Sequence, residues 1–291
     1  MRGRYNVRHL TRLAATLAVT LTFAGAAPRA SAHSAPQSGS GTATLAATLD
    51  EAHRLFYSGQ YETAAALALS VRESDPRNLL AYELRTSALH FQIRRALGTS
   101  DDRDRGWKAC ASCPGLMSAF LAETTLGRAA AQKRLTEHPS DSEGMFFLGK
   151  LDLNYVWLQL STLGRKTGWS EYWEARKTLD ALLKMEPTYV RGRVARAWID
   201  YIVATKVPRG IRWMVGGGNK KRGLDIVREA SRVDAPPYVQ AEARFALWDM
   251  QIREKQLPDA VVTARALARE FPDNSEVTRF LSTHDMQANR N

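Results

Sequence analysis

The chain is short of the residues from which catalytic and metal centres are usually built. It holds two cysteines and six histidines in 291 residues. His33, His53, His90, His138 and His284 are scattered, with no metal-binding spacing and no nucleophile motif around any of them. No catalytic residue, metal or cofactor is therefore expected, and a non-enzymatic role is. Runs of β-branched residues are also scarce, while alanine, leucine and arginine are abundant, which points to an all-α class. The apolar run at residues 13–27 is about 15 residues long, short of the roughly 20 that cross a bilayer, so a stable membrane anchor is not expected.

Acidic residues are missing from the first 32 positions, which carry Arg2, Arg4, Arg8, Arg12 and Arg29 around that apolar run and end in Ala30-Ser31-Ala32. This is the pattern of a secretory signal cleaved near Ala32, giving an exported, periplasmic or secreted protein. No cysteine near the cut would accept a lipid, and no arginine pair marks the folded-export route. Loss of the segment leaves 36 basic against 30 acidic residues, so the formal charge falls from +11 to +6. Acids and bases are interleaved in most windows, as on a solvated helical surface, and no nucleic-acid partner is expected. Residues 33–44 (HSAPQSGSGTAT) read as a disordered leader, and residues 45–288 as the folded domain.

Within that domain an alanine and a helix-stopping proline recur twelve residues apart, at 64–76, 175–187 and 260–272. The first copy is the clearest. Leu49, Ala52, Leu55 and Phe56 form one helical stripe, Gly59-Gln60-Tyr61 turns the chain, and a second helix runs to Asp75-Pro76. Gly59, Tyr61, Ala64, Ala68, Val71 and Asp75-Pro76 resemble the tetratricopeptide repeat, a helix–turn–helix unit of 34 residues, and Phe147-Leu148-Gly149 stands where that family places its Leu-Gly pair. The resemblance implies a right-handed superhelix of stacked antiparallel helix pairs, about five units at 45–76, 79–139, 142–187, 188–236 and 238–272, with a capping helix at 275–287.

The intervals Pro76–Pro139 and Pro139–Pro187, of 63 and 48 residues, and those from Pro187 to Ala235 and from Ala235 to Pro272, of 48 and 37, depart from 34, so the units carry insertions. In the third unit residues 151–163 extend the first helix, a turn follows at 164–169, and Ser170 is the expected N-cap of the next helix. In the fourth, residues 204–219 combine Ile211, Trp213, Met214 and Val215 with Gly216-Gly217-Gly218. The glycines lack the order of a phosphate loop and read as a Cβ-free turn. In the irregular second unit, residues 99–114 read as a loop containing Cys110 and Cys113. Pro114 replaces the histidine that haem attachment needs, zinc would lack two ligands, and no strand offers a thioredoxin setting. A local disulfide is the remaining expectation for an exported chain.

Trp157, Trp169, Trp173, Trp198 and Trp213, five of the seven tryptophans, fall in the two expanded units. Helical spacing assigns Trp157, Trp173 and Trp198 to the core. Trp169 and Trp213, in turns beside glycines and cations, are candidates for recognition, joined by Tyr172, Arg212 and, through its neighbours, Trp173; Tyr155 and Tyr201 are further aromatics of the group. Residues 145–222 are similar to bacterial exported tetratricopeptide-like proteins of unassigned role. In architecture and export the chain also resembles the T-component of periplasmic tripartite transporters, a helical-repeat subunit that pairs with a solute-binding protein and is usually a lipoprotein. The expected function is a scaffold that holds a protein or peptide partner in the cell envelope, in the groove of the stack. The alternative is a small-ligand or transport-accessory protein with an aromatic pocket at Trp169, Trp173 and Trp213. Attachment to a membrane surface through residues 211–215 is a third reading, opposed by their shortness for an interfacial helix.

Overall fold

In a computed structural model, residues 38–98 and 102–288 are described, with side chains over 42–98 and 102–284. The signal segment and residues 33–37 of the expected leader lie outside these. The described residues form helices only: α1 Ser38–Tyr57, α2 Tyr61–Ser74, α3 Leu79–Leu97, α4 Arg103–Ala109, α5 Cys113–Glu137, α6 Ser142–Trp157, α7 Trp169–Met185, α8 Val190–Lys206, α9 Lys220–Ala230, α10 Pro237–Arg253, α11 Leu257–Glu270 and α12 Ser275–Ala288. A π-helical turn, Leu158–Thr162, extends α6, and a 3-10 helix, Arg209–Val215, follows α8.

The repeat is written most plainly in its turns. The residue before each of Pro76, Pro139, Pro187 and Pro272 leaves the helical region, with φ/ψ of −136/89 at Asp75, −137/83 at His138, −125/81 at Glu186 and −128/69 at Phe271. Clash with the proline ring forces that departure. The same four residues then accept a backbone hydrogen bond three positions on, from Asn78, Asp141, Tyr189 and Asn274, so that four helix-to-helix corners share one geometry. Two of these residues also fasten the next helix: the side chains of Asn78 and Asn274 accept from the backbone N–H of Ala81 and Val277, at 3.1 and 3.0 Å.

Close helix approach follows from small residues at the crossings. Ala64, Ala68, Ala175, Ala260 and Ala264 have no exposed surface. A Cβ on Gly149 would lie 3.0 Å from Leu179 Cγ, and one on Gly223 would lie 2.8 Å from the Ala197 carbonyl oxygen, so α6 meets α7 and α8 meets α9 at distances only glycine permits. Each helix packs on its neighbours in the chain, while α3, α6, α8 and α10 also touch in series as an inner row.

Several expectations are corrected. α1 begins at Ser38, seven residues before the expected start of the fold at Leu45. Residues 42–44 are exposed and Leu45 is the first side chain packed in the core, so burial starts where expected and helix propagates upstream, one hydrogen bond per added residue. The stretch read as a loop at 99–114 contains α4 and the start of α5; Asp102 caps α4 by accepting from Arg105 N at 2.9 Å, and Trp107 holds it against the Leu158 and Leu163 cluster. Gly168, at φ 91, is the N-cap of α7, and Ser170 instead donates to Glu171.

The two ends of the stack also meet. On α1, His53 stacks on Tyr238 with ring centroids 4.4 Å apart, and Tyr57 stacks on Phe245 at 5.3 Å. Asn274 Nδ2 donates to the Tyr57 carbonyl oxygen at 2.7 Å. An open array would leave its first and last units apart; here α1 closes against α10 and the start of α12.

Candidate interaction surfaces

Closure leaves the inner side of the stack filled by its own side chains. Arg191 on α8 donates through Nη2 to Glu83 on α3 at 2.9 Å and through Nε to Glu242 on α10 at 2.6 Å. Lys150 on α6 donates to the other Glu242 oxygen at 2.7 Å. The guanidinium also lies 4.5 Å over the Phe146 ring and 5.5 Å from that of Tyr238. Ser87 donates to Glu83 at 2.9 Å, and Asn154 donates to Thr86 and Ser87. Burial opposes charge on Glu242, yet Arg191 and Lys150 bring its carboxyl down to about 2; burial likewise opposes charge on Arg191, and Glu242 and Glu83 hold it protonated. Two anions and two cations balance. The network is a buried clasp joining α3, α6, α8 and α10, and it occupies the groove in which a peptide was expected to lie.

A second charged cluster, half-buried around a fully buried Asp152, sits between α5, α6 and α7. Arg128 Nε lies 2.8 Å from Asp152, and its Nη atoms reach Glu174 at 2.6 Å and Glu171 at 3.8 Å. One guanidinium thus serves three carboxylates. Burial pushes Asp152, which has no exposed surface, up to about 8 against the pull of Arg128, and Glu174 and Glu171 add to the rise. Sealed from solvent, this carboxyl is a packing element of the expanded third unit.

The outer side differs. Here α7 of the third unit is joined to the insertion of the fourth. Tyr172 on α7 donates to the Val215 carbonyl oxygen at 2.8 Å, and Arg176, one turn on, donates to the carbonyl oxygens of Val215, Gly216 and Gly217. Gly216 turns the chain at φ 78 to deliver those carbonyls. Around this joint Trp169 is 50%, Trp173 43%, Ile211 49%, Trp213 76% and Met214 58% exposed.

The candidate residues separate accordingly. Trp169 and Trp213 are on the surface. Trp173 is exposed, correcting its assignment to the core: Tyr172, Ala175, Leu179 and Leu182 form the buried stripe of α7, and position 173 falls off it. Tyr172 is buried and serves the joint. Arg212 is committed to closing α8, donating to the carbonyl oxygens of Val207 and Ala204 at its C-terminus. Tyr201 is buried, and Tyr155, Trp157 and Trp198 are half-buried. Cys110 and Cys113 are joined by a disulfide that links the end of α4 to the first residue of α5. Two solvent-open clefts, of 420 and 520 Å³, are lined by residues of 225–233 and 134–141, so neither contains Trp169, Trp173 or Trp213.

No protein-family model and no curated protein matches the sequence. Among solved structures the chain is similar to a thermophilic TPR protein of Thermus thermophilus, with 13% identity, a TM-score of 0.45, and coverage of 82% of this chain and 97% of that one.

Proposed function

We propose that the chain is a non-enzymatic scaffold of the cell envelope that binds a protein partner on its outer face, centred on Trp169 and Trp173. The observation that carries this reading is the pair itself. Two tryptophans one helical turn apart on α7 stand half in water on a segment braced from beneath by Tyr172 and Arg176. Large aromatics on a rigid support are the side chains that contribute most to protein interfaces, because they bury much area while losing little rotamer freedom. The filled inner side moves the expected binding surface from groove to exterior.

Export is part of the proposal and is supported by two independent features, the arginine-flanked apolar leader ending at Ala32 and a disulfide of the kind that persists in oxidising compartments. The test is affinity capture from an envelope extract with the wild-type chain and with Trp169→Ala/Trp173→Ala. At least one protein held by the wild type should be lost from the variant, with the helical circular dichroism retained at the temperature of the capture, because the core stripe of α7 is untouched. An identical set of captured proteins would remove this surface from the account.

A further inference from the structure

We propose a second docking surface, carried by the same joint as the Trp169–Trp173 face but with side chains of its own: the 3-10 helix Arg209–Val215 is a prefolded tip that seats in the headgroup layer of an anionic bilayer. Its apolar atoms come first. Ile211, Trp213 and Met214 are 49, 76 and 58% exposed within four consecutive positions. A Cβ built on Gly210 or Gly217 would meet nothing within 4 Å, so space is open at both of these positions.

Immersion in a poorly hydrated layer is tolerated only where polar groups are already paired. They are paired here. The Trp213 indole N–H donates to the Gly210 carbonyl oxygen at 3.1 Å, leaving the exposed ring without an orphaned donor. Ile211 N and Gly217 N donate to the carbonyl oxygens of Pro208 and Arg212 at 3.1 and 2.8 Å, and the carbonyls of Val215 and Gly216 are taken by Tyr172 and Arg176. Those last two bonds also fix the tip on α7, so its docking requires no folding step.

Charge then selects the surface. From residue 201 to 224 the chain contains Lys206, Arg209, Arg212, Lys220, Lys221 and Arg222 and no acid. Arg212 is spent on α8 and Lys220 pairs with Glu254, but Lys206, Arg209, Lys221 and Arg222 are exposed and form no salt bridge among the described residues. Four free cations flanking in sequence an exposed tryptophan, isoleucine and methionine complement anionic headgroups over an acyl boundary. The segment is too short for an interfacial helix; a braced tip replaces that helix's length with rigidity.

Vesicle flotation tests this with the wild-type chain and with Ile211→Ser/Trp213→Ser/Met214→Ser, both carrying the same N-terminus so that their difference isolates the tip. The wild type should float with vesicles of equimolar phosphatidylglycerol and phosphatidylcholine, and more weakly with phosphatidylcholine alone. The variant, with its helical circular dichroism retained, should bind the anionic vesicles at least about tenfold more weakly, given the apolar area removed. Lys221→Glu/Arg222→Glu should weaken anionic binding by about fivefold or more per charge and leave binding to phosphatidylcholine unaltered. Equal flotation of wild type and triple variant overturns the proposal, as does capture of a protein through the tip by a chain that binds neither vesicle. Trp169→Ala/Trp173→Ala should float as the wild type does, so failure of one surface is readable apart from the other.

Discussion

At the level of single residues, Asp152 gives the sharpest expectation. Its carboxyl is raised to about 8 in the fold by burial and by two neighbouring glutamates, against about 3.9 in an unfolded chain. The folded state therefore holds a proton that the unfolded state gives up as pH rises. Its stabilising effect is full below pH ~4 and is lost as pH climbs through ~8. Asp152→Asn keeps the shape without the titration. Thermal unfolding should show the variant gaining on the wild type between about pH 5 and 9, by at least ~1 kcal/mol at the upper end; a difference that is flat with pH would show that Asp152 is ionised in the fold. Residue-level signals in the sequence were uneven. Ala64, Ala175 and Ala260 were legible because a proline stands twelve positions after each. Trp173 was not read correctly, although Ala175, Leu179 and Leu182 already defined the buried stripe and placed it outside. Arg212 gave no sign that it would be consumed by its own helix end.

At the scale of elements, helices ending in X-Pro were readable because the physics is local: the ring excludes helical geometry from the residue before it, whatever the rest of the fold does. Insertions lack such a rule. α4 formed in a stretch rich in charge because Trp107 found an apolar cluster assembled from α3, α5 and the end of α6, among them Ile93, Phe120 and Leu158, which no local periodicity brings together. The disulfide beside α4 closes a ring of only four residues from Cys110 to Cys113, and a ring that small removes little freedom from the unfolded chain, about 2 kcal/mol in the chain-entropy view. Cys110→Ser/Cys113→Ser should accordingly fold, retain its helical circular dichroism and melt by no more than roughly 8 °C lower. Loss of folding would mean that α4 and the start of α5 depend on the bond far more than ring size allows.

The whole molecule carries the largest departure from the sequence reading. Stacked helix pairs were legible; their closure was not, because the contacts that make it join positions far apart in the chain. Arg191 meets Glu83 across 108 residues and Asn274 meets Tyr57 across 217. No periodicity encodes such pairs. Closure turns the groove of a repeat array into a charged, buried clasp, and the proposed binding surface therefore lies on the outer face, where α7 is tied to the insertion of the fourth unit. Removing one partner of the clasp by substitution would leave a buried charge uncompensated, a loss of roughly 3–5 kcal/mol. The placement of the binding surface is tested most directly by putting a photo-crosslinking aromatic amino acid at Trp173, on the outer face, or at Tyr238, beside the clasp, and irradiating intact cells. Intermolecular adducts should form from position 173 and not from position 238; adducts from 238 with none from 173 would show that the stack opens and binds its partner inside.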